Sequence, residues 1–258
     1  MNSGLPILEF DPTPEAIIEP NQLIEKQQVP KHAVICFFKE VIKKIAEEHN
    51  AKVIYTSHSE MGEHPVYELE YKGKRIVFYH PGVGAPLAVG LTEEVIALGV
   101  KNFIAVGGCG VLDKDITVGH VLLPVTALRG EGTSYHYAAP SRQIDADPDV
   151  ITLMESVLAH HRIAYKKTKT WTTDAFYRET KKKVDRYLAE GCLAVEMENA
   201  SLIALSKFRG VRFGQYLYGG DLVLAEGWDA REWNSRQHIR EQLFWLAVET
   251  CFKLDTID

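Results

Sequence analysis

The chain has 258 residues, 46% hydrophobic and 25% charged, a balance that excludes a disordered, fibrous or disulfide-stapled protein. Its 29 Lys and Arg against 35 Asp and Glu give a net charge of −6, which argues against nucleic-acid binding but allows a small anionic ligand held by local cations. The cysteines (Cys36, Cys109, Cys192 and Cys251) are far apart and form no C-x-x-C, so reduced thiols are expected. The opening MNSGLPILEFDPTPE has neither a basic nor an apolar leader region, and no stretch approaches the ~18 apolar residues of a membrane span. The expectation is a soluble, cytoplasmic protein with no membrane partner.

Residues 1–31 are broken by Pro6, Pro12, Pro14, Pro20 and Pro30 and are expected to form an extension to the domain at 32–258. HAVICFF (32–38) has the continuous apolar run of a buried strand. KEVIKKIAEEHN (39–50) places Val41, Ile42, Ile45 and Ala46 at helical spacing. KVIYTS, VYELEY and RIVFYH follow as strands, the last two joined by a hairpin turn at Lys72-Gly73. A helix is expected over 86–98, a strand at NFIAVGG (102–108) and another at HVLLPVTAL (120–128). Helices at 148–161 and 177–190 flank the strand AYKKTKTW. Then come a helix at 198–208, the strand VRFGQYLYG (211–219) and a long amphipathic helix at 233–254. This alternation predicts a single-domain, three-layer α/β/α fold around a mixed, mostly parallel sheet. Ligands of such sheets bind at the carboxyl ends of strands.

Five segments lie where that chemistry is expected. PGVGAP (81–86) and VGGCG (106–110) could bring backbone N–H groups close to a ligand, or could be simple strand-to-loop turns. Neither has Rossmann or P-loop spacing. Glu196-Met197-Glu198 places two carboxylates in an apolar setting, where one could accept bonds from vicinal hydroxyls or both could favour a helix N-terminus. Asp221, after Gly219-Gly220, could be a general acid or a turn aspartate. Trp171, Phe176 and Tyr177 could wall a site for a flat ring or pack in the core. The histidines show no H-x-x-x-H spacing, so no metal is expected.

Taken in order, HPGVGAP, FIAVGGCGVL, ITVGHVLLPVTALRGEGTSYHY, TTDAFY and AVEMENA resemble the nucleoside phosphorylase family, which includes uridine phosphorylases, hexameric purine nucleoside phosphorylases and hydrolytic nucleosidases. The spacing of Glu198 and Asp221 matches that between the ribose-binding glutamate and the acid of purine-type members. The resemblance implies cleavage of a nucleoside N-glycosidic bond, a purine favoured, by phosphorolysis with phosphate as co-substrate and no cofactor. It implies ribose binding by Met197 and Glu198, base binding by Cys109, Gly110, Phe176 and Glu196, and protonation of the leaving base by Asp221. It also implies a homo-oligomer, a dimer or hexamer.

The phosphate end departs from the family. Its Gly-Asp-Pro-x-Arg loop is replaced by Cys36-Phe37-Phe38-Lys39-Glu40-Val41, its strand arginine by Ala105, and its phosphate-binding hydroxyl residue by Gly108. Lys39, Arg129 and Arg178 are the candidate replacements, with Gly108 in the phosphate position. Glu40 falls near the water-activating glutamate of the hydrolytic branch, so hydrolysis is the alternative, followed by a nucleoside-binding protein without catalysis.

Overall fold

The computed structural model describes residues 4–256. Its strands are β1 (His32–Cys36), β2 (Lys52–Ser59), β3 (Gly62–Tyr71), β4 (Lys74–Tyr79), β5 (Asn102–Val111) and β6 (Val121–Gly130). They continue as β7 (Gln143–Asp145), β8 (Tyr165–Thr173), β9 (Cys192–Glu196), β10 (Arg212–Leu224) and β11 (Gly227–Asp229). The helices are α1 (Pro20–Leu23), α2 (Lys39–Glu48), α3 (Ala85–Leu98), α4 (Pro148–His160), α5 (Lys181–Ala189), α6 (Asn199–Arg209) and α7 (Gln237–Lys253).

All eleven strands join one mixed sheet. β1 runs parallel to β4 and β5, while β3 and β2 extend the β4 edge antiparallel. β5 also pairs in parallel with β10 and, at its carboxyl end, antiparallel with β9. The path β10–β6–β8–β9 returns to β5, so these five strands close into a ring. That closure gathers the ends of β5, β9 and β10 in one place.

Three layers follow from where the apolar residues fall. Val41 and Ile45 of α2, Met154 and Leu158 of α4, and Phe244 and Val248 of α7 bury against one face of the sheet. Val89 and Val95 of α3, with Leu202 and Ile203 of α6, bury against the other. Cys109, Val111, Ile116, Leu122, Ala194 and Leu217 form a separate small cluster. At about 1.5–3 kcal/mol per fully buried aliphatic side chain, these clusters hold the fold without disulfides, the four cysteines being free and buried.

Local chemistry sets the boundaries. Lys72 (φ 52°) and Gly73 (φ 74°) make the tight turn between β3 and β4. Asp147 caps α4 by accepting from the N–H groups of Asp149 and Val150, with Pro148 in the first turn. Gly210 ends α6 in the left-handed region. Ahead of β1, the Gln27 N–H donates to the Leu98 carbonyl, and Arg209 bridges Glu19 and Glu93.

Several boundaries differ from the sequence pattern. The strands expected to stop at Gly108 and Gly219 run on to Val111 and Leu224, so Asp221 lies within a strand rather than in a turn. The helix expected from Tyr177 starts at Lys181, because Phe176–Arg178 form a separate 3-10 turn and Thr180 is extended. The helix expected from Trp233 starts at Gln237, since the Trp233 carbonyl accepts from Tyr218 and Arg240 instead of from a helical N–H. β9 carries no visible signal, because five residues after Gly191 are too few to show alternation.

Candidate active site

β9 ends on Glu196, beside the end of β5, where Gly110 pairs with Val195. One Glu196 oxygen accepts from the Thr172 hydroxyl at 2.5 Å, and the other from the N–H groups of Glu198 (2.7 Å) and Asn199 (2.6 Å). Glu196 therefore caps α6, although the segment order suggests Glu198 for that duty. Burial pushes its carboxyl pKa up, against the opposing pull of those donors. Both oxygens are engaged within the protein, which sets Glu196 up as the support of the neighbouring residues more than as a direct contact to a base.

Glu198 is buried, and its Oε1 accepts from the Gly84 N–H at 2.6 Å. That N–H is presented by the turn ahead of α3. Gly82 (φ 81°) has no room for a side chain there, since a Cβ would lie 2.3 Å from Leu87. Burial first, then the charge of Glu196, pushes the Glu198 carboxyl up to about 8. A group so destabilised as an anion gains from hydroxyl donors that arrive with a ligand. Met197 is half-buried between the two glutamates.

Asp221 stands on β10, which, like β9, pairs with β5. The β10–β5 register shifts between Gly219 and Leu222, which releases Gly220 and Asp221 from regular pairing. Asp221 Oδ2 accepts from Trp228 Nε1 on β11 at 2.7 Å. Its Oδ1 faces Gly110, where a Cβ would lie only 3.6 Å away. The charges of Glu196 and Asp221 both act on Cys109, whose thiol lies against the Tyr218 carbonyl. Burial holds the Cys109 thiol well above its usual range, so it packs there as an apolar group and not as a nucleophile. Glu179, just past the Phe176–Arg178 turn, is pushed up to about 7 by burial and by Asp221, with Lys183 opposing. Phe176 is 52% exposed and packs on Tyr177 at 4.2 Å between centroids.

The expected phosphate residues fare differently. Gly108 is faced by Tyr218, whose ring would sit 3.2 Å from a Cβ at that position. The Tyr218 hydroxyl donates to the Trp233 carbonyl at 2.7 Å and accepts from Arg240 Nε (3.0 Å) and Nη2 (2.9 Å). Arg240 is buried, pairs with Glu40 at 2.5 Å and lies over Phe38. Arg129 corrects its expectation: four of its five N–H bonds point into its own loop. They reach Ser134 Oγ, the Ala138 and Ala139 carbonyls and Ser141 Oγ, so Arg129 shapes residues 130–141 and is not free for phosphate. Arg178 is exposed on the turn that carries Phe176. Lys39 is exposed at the start of α2, near His80, whose pKa is lowered chiefly by burial and whose Nδ1 accepts from Gly82 N–H.

Arg240, Tyr218, Trp228 and Glu179 are absent from the sequence-based candidates. Arg240 looks like one cation on an amphipathic helix, and Tyr218 like one more apolar residue of a buried strand. Two open clefts, of about 260 Å³ beside Lys207 and about 410 Å³ beside Ile239, lie away from this cluster and carry no comparable set of titratable groups.

A glycine turn apposed to a buried glutamate, with an acid on β10 of the same three-layer α/β scaffold, gathers titratable groups where ligands of such sheets bind. The chain belongs to the phosphorylase superfamily, whose profile matches residues 31–240. It is 28% identical to guanosine phosphorylase of Halorubrum lacusprofundi over 196 residues, covering 76% of this chain and 80% of that protein. Its fold matches uridine phosphorylase from Vibrio fischeri ES114 with a TM-score of 0.72 at 22% identity, covering 92% and 95% of the two chains. It also matches AMP nucleosidase from Bacteroides thetaiotaomicron with a TM-score of 0.71 at 20% identity, covering 88% and 90%. Among the described residues, no helix is long and apolar enough to cross a membrane.

Proposed function

We propose that this chain cleaves the N-glycosidic bond of a purine nucleoside by phosphorolysis, releasing free base and ribose 1-phosphate. The reading is supported by buried Glu198, just past β9 and held by Gly84, and by Asp221 on β10, two strands that both pair with the carboxyl end of β5. Glu198 accepts from the ribose 2′- and 3′-hydroxyls, and Met197 packs on the sugar. Phe176 closes over the base from its turn, while Cys109 and Gly110 form the floor on which the base rests. As the C–N bond breaks with its electron pair going to the base, Asp221 Oδ1 gives a proton to a ring nitrogen. The anomeric carbon, left with oxocarbenium character, is taken by phosphate. Protonating the leaving group in this way is worth roughly 10²–10⁴ in rate. The guanosine-acting relative supports a purine. No cofactor enters these steps.

A second reading has its own observation. Tyr218 stands over Gly108, where phosphorolytic relatives carry a hydroxyl residue, and the nearby cation Arg240 is already paired with Glu40. This favours water as the acceptor, with Glu40 beside it. On either reading the catalytic domain is 32–258, residues 1–31 are an extension, and the protein is a cytoplasmic homo-oligomer.

Incubating the protein with a nucleoside panel, with and without phosphate, and chromatographing the products separates these outcomes. Free base with ribose 1-phosphate, formed only when phosphate is present, supports phosphorolysis. Free base and free ribose in both conditions supports hydrolysis. A nucleoside that raises Tm without releasing base overturns both.

A further inference from the structure

We infer that Trp228 is a positioning residue for Asp221: its indole N–H fixes which carboxyl oxygen carries the proton and strengthens as that proton leaves. The inference rests on Asp221 being the acid of the proposed reaction.

The β10–β11 hairpin pairs Leu222 with Asp229 and Val223 with Trp228. This returns the Trp228 side chain over Asp221, with Nε1 2.7 Å from Oδ2. The indole ring is 65% exposed, so burial of apolar surface does not account for its place. An indole nitrogen is a donor only. Oδ2 is therefore the acceptor of that bond, which leaves Oδ1 as the oxygen to hold and give the proton in the proposed step. Oδ1 is the oxygen directed at Gly110, on the side of the expected base. Glu179, the other carboxyl that senses Asp221, makes no hydrogen bond among the described side chains and offers Oδ2 no competing donor of comparable fixity.

The step balances as follows. The glycosidic electron pair passes to the base nitrogen, the Oδ1 proton follows it, and Asp221 becomes a carboxylate. Negative charge then spreads to Oδ2, and a hydrogen bond to a charged acceptor is stronger than one to a neutral acceptor. The Trp228 N–H thus favours the transition state over the ground state, which places its effect in kcat and not in KM.

Trp228→Phe keeps an aromatic ring on an exposed hairpin and removes only the donor. With an ordinary purine nucleoside, kcat is expected to fall about tenfold with KM within about twofold. With a 7-methylated purine nucleoside, whose base is already cationic and leaves without a proton, kcat should match the wild type. A loss of the same size on both substrates, or on neither, overturns the role. The wild type also reports on the underlying reading: turnover of the ordinary nucleoside that survives Asp221→Asn removes the acid itself, and with it any part for Trp228. Trp228→His, which restores a ring N–H, should recover part of the lost rate; rate no better than that of Trp228→Phe would count against the N–H.

Discussion

The two ends of the candidate site are built from opposite kinds of local chemistry. At the ribose and base end, Glu196 is saturated by Thr172 and the first N–H groups of α6, and it holds Glu198 where a glycine turn meets it. At the proposed phosphate end, Phe38 packs on Tyr218, and the buried Arg240 is tied to Glu40. One end keeps a carboxylate short of donors, and the other keeps a cation already satisfied. On the proposed reading, the sugar and base end and the acceptor end are thus built independently of each other.

That contrast breaks most easily at Glu198. Glu198→Ala should lower kcat/KM for the nucleoside by about 10³, because two ribose hydroxyls lose their buried acceptor. Steady-state kinetics on a soluble, folded variant check this, and a loss below tenfold would take Glu198 out of ribose binding. Glu196→Ala should act on stability instead, costing about 2–4 kcal/mol in denaturant unfolding as three donors lose their acceptor. An unchanged midpoint would show that Glu196 is no structural cap.

Protonation sharpens the same contrast. The Glu198 carboxyl is raised from 4.5 to about 8, so the folded state binds that proton more tightly than the unfolded state. Its contribution is fully present below pH 4.5 and is lost as pH rises towards about 8, at up to about 1.4 kcal/mol per pH unit. Unfolding of the ligand-free protein across that window should show a shallower slope for Glu198→Gln than for the wild type. Identical slopes would mean that Glu198 is not the buried proton site.

The smallest effect is expected at the other end. Arg240→Met should cost about 1–3 kcal/mol, less than a fully buried pair, because the Glu40 side chain is 40% exposed. If phosphate uses Arg240, the same variant raises the phosphate KM. If the acceptor is water, base release stays independent of phosphate in both proteins.

Much of this was legible from residues alone. The apolar runs and helical spacings located the main elements, and the resemblance to the nucleoside phosphorylase family singled out Glu198 and Asp221 by their spacing. What sequence could not show depends on distant pairs. Arg240 meets Glu40 across 200 positions, and Trp228 reaches Asp221 only because a bulged strand turns back on itself. Arg129 misled for the same reason, since a lone arginine in a loop gives no sign that Ser134, Ala138, Ala139 and Ser141 will surround it.

The central claim is that Asp221 protonates a leaving base whose ribose is held by Glu198. Single-turnover release of base from a purine nucleoside, under saturating phosphate, compares the wild type with Asp221→Asn directly. The account predicts a fall of about 10²-fold or more, with Tm and nucleoside affinity little changed. Equal rates for the two proteins would contradict it.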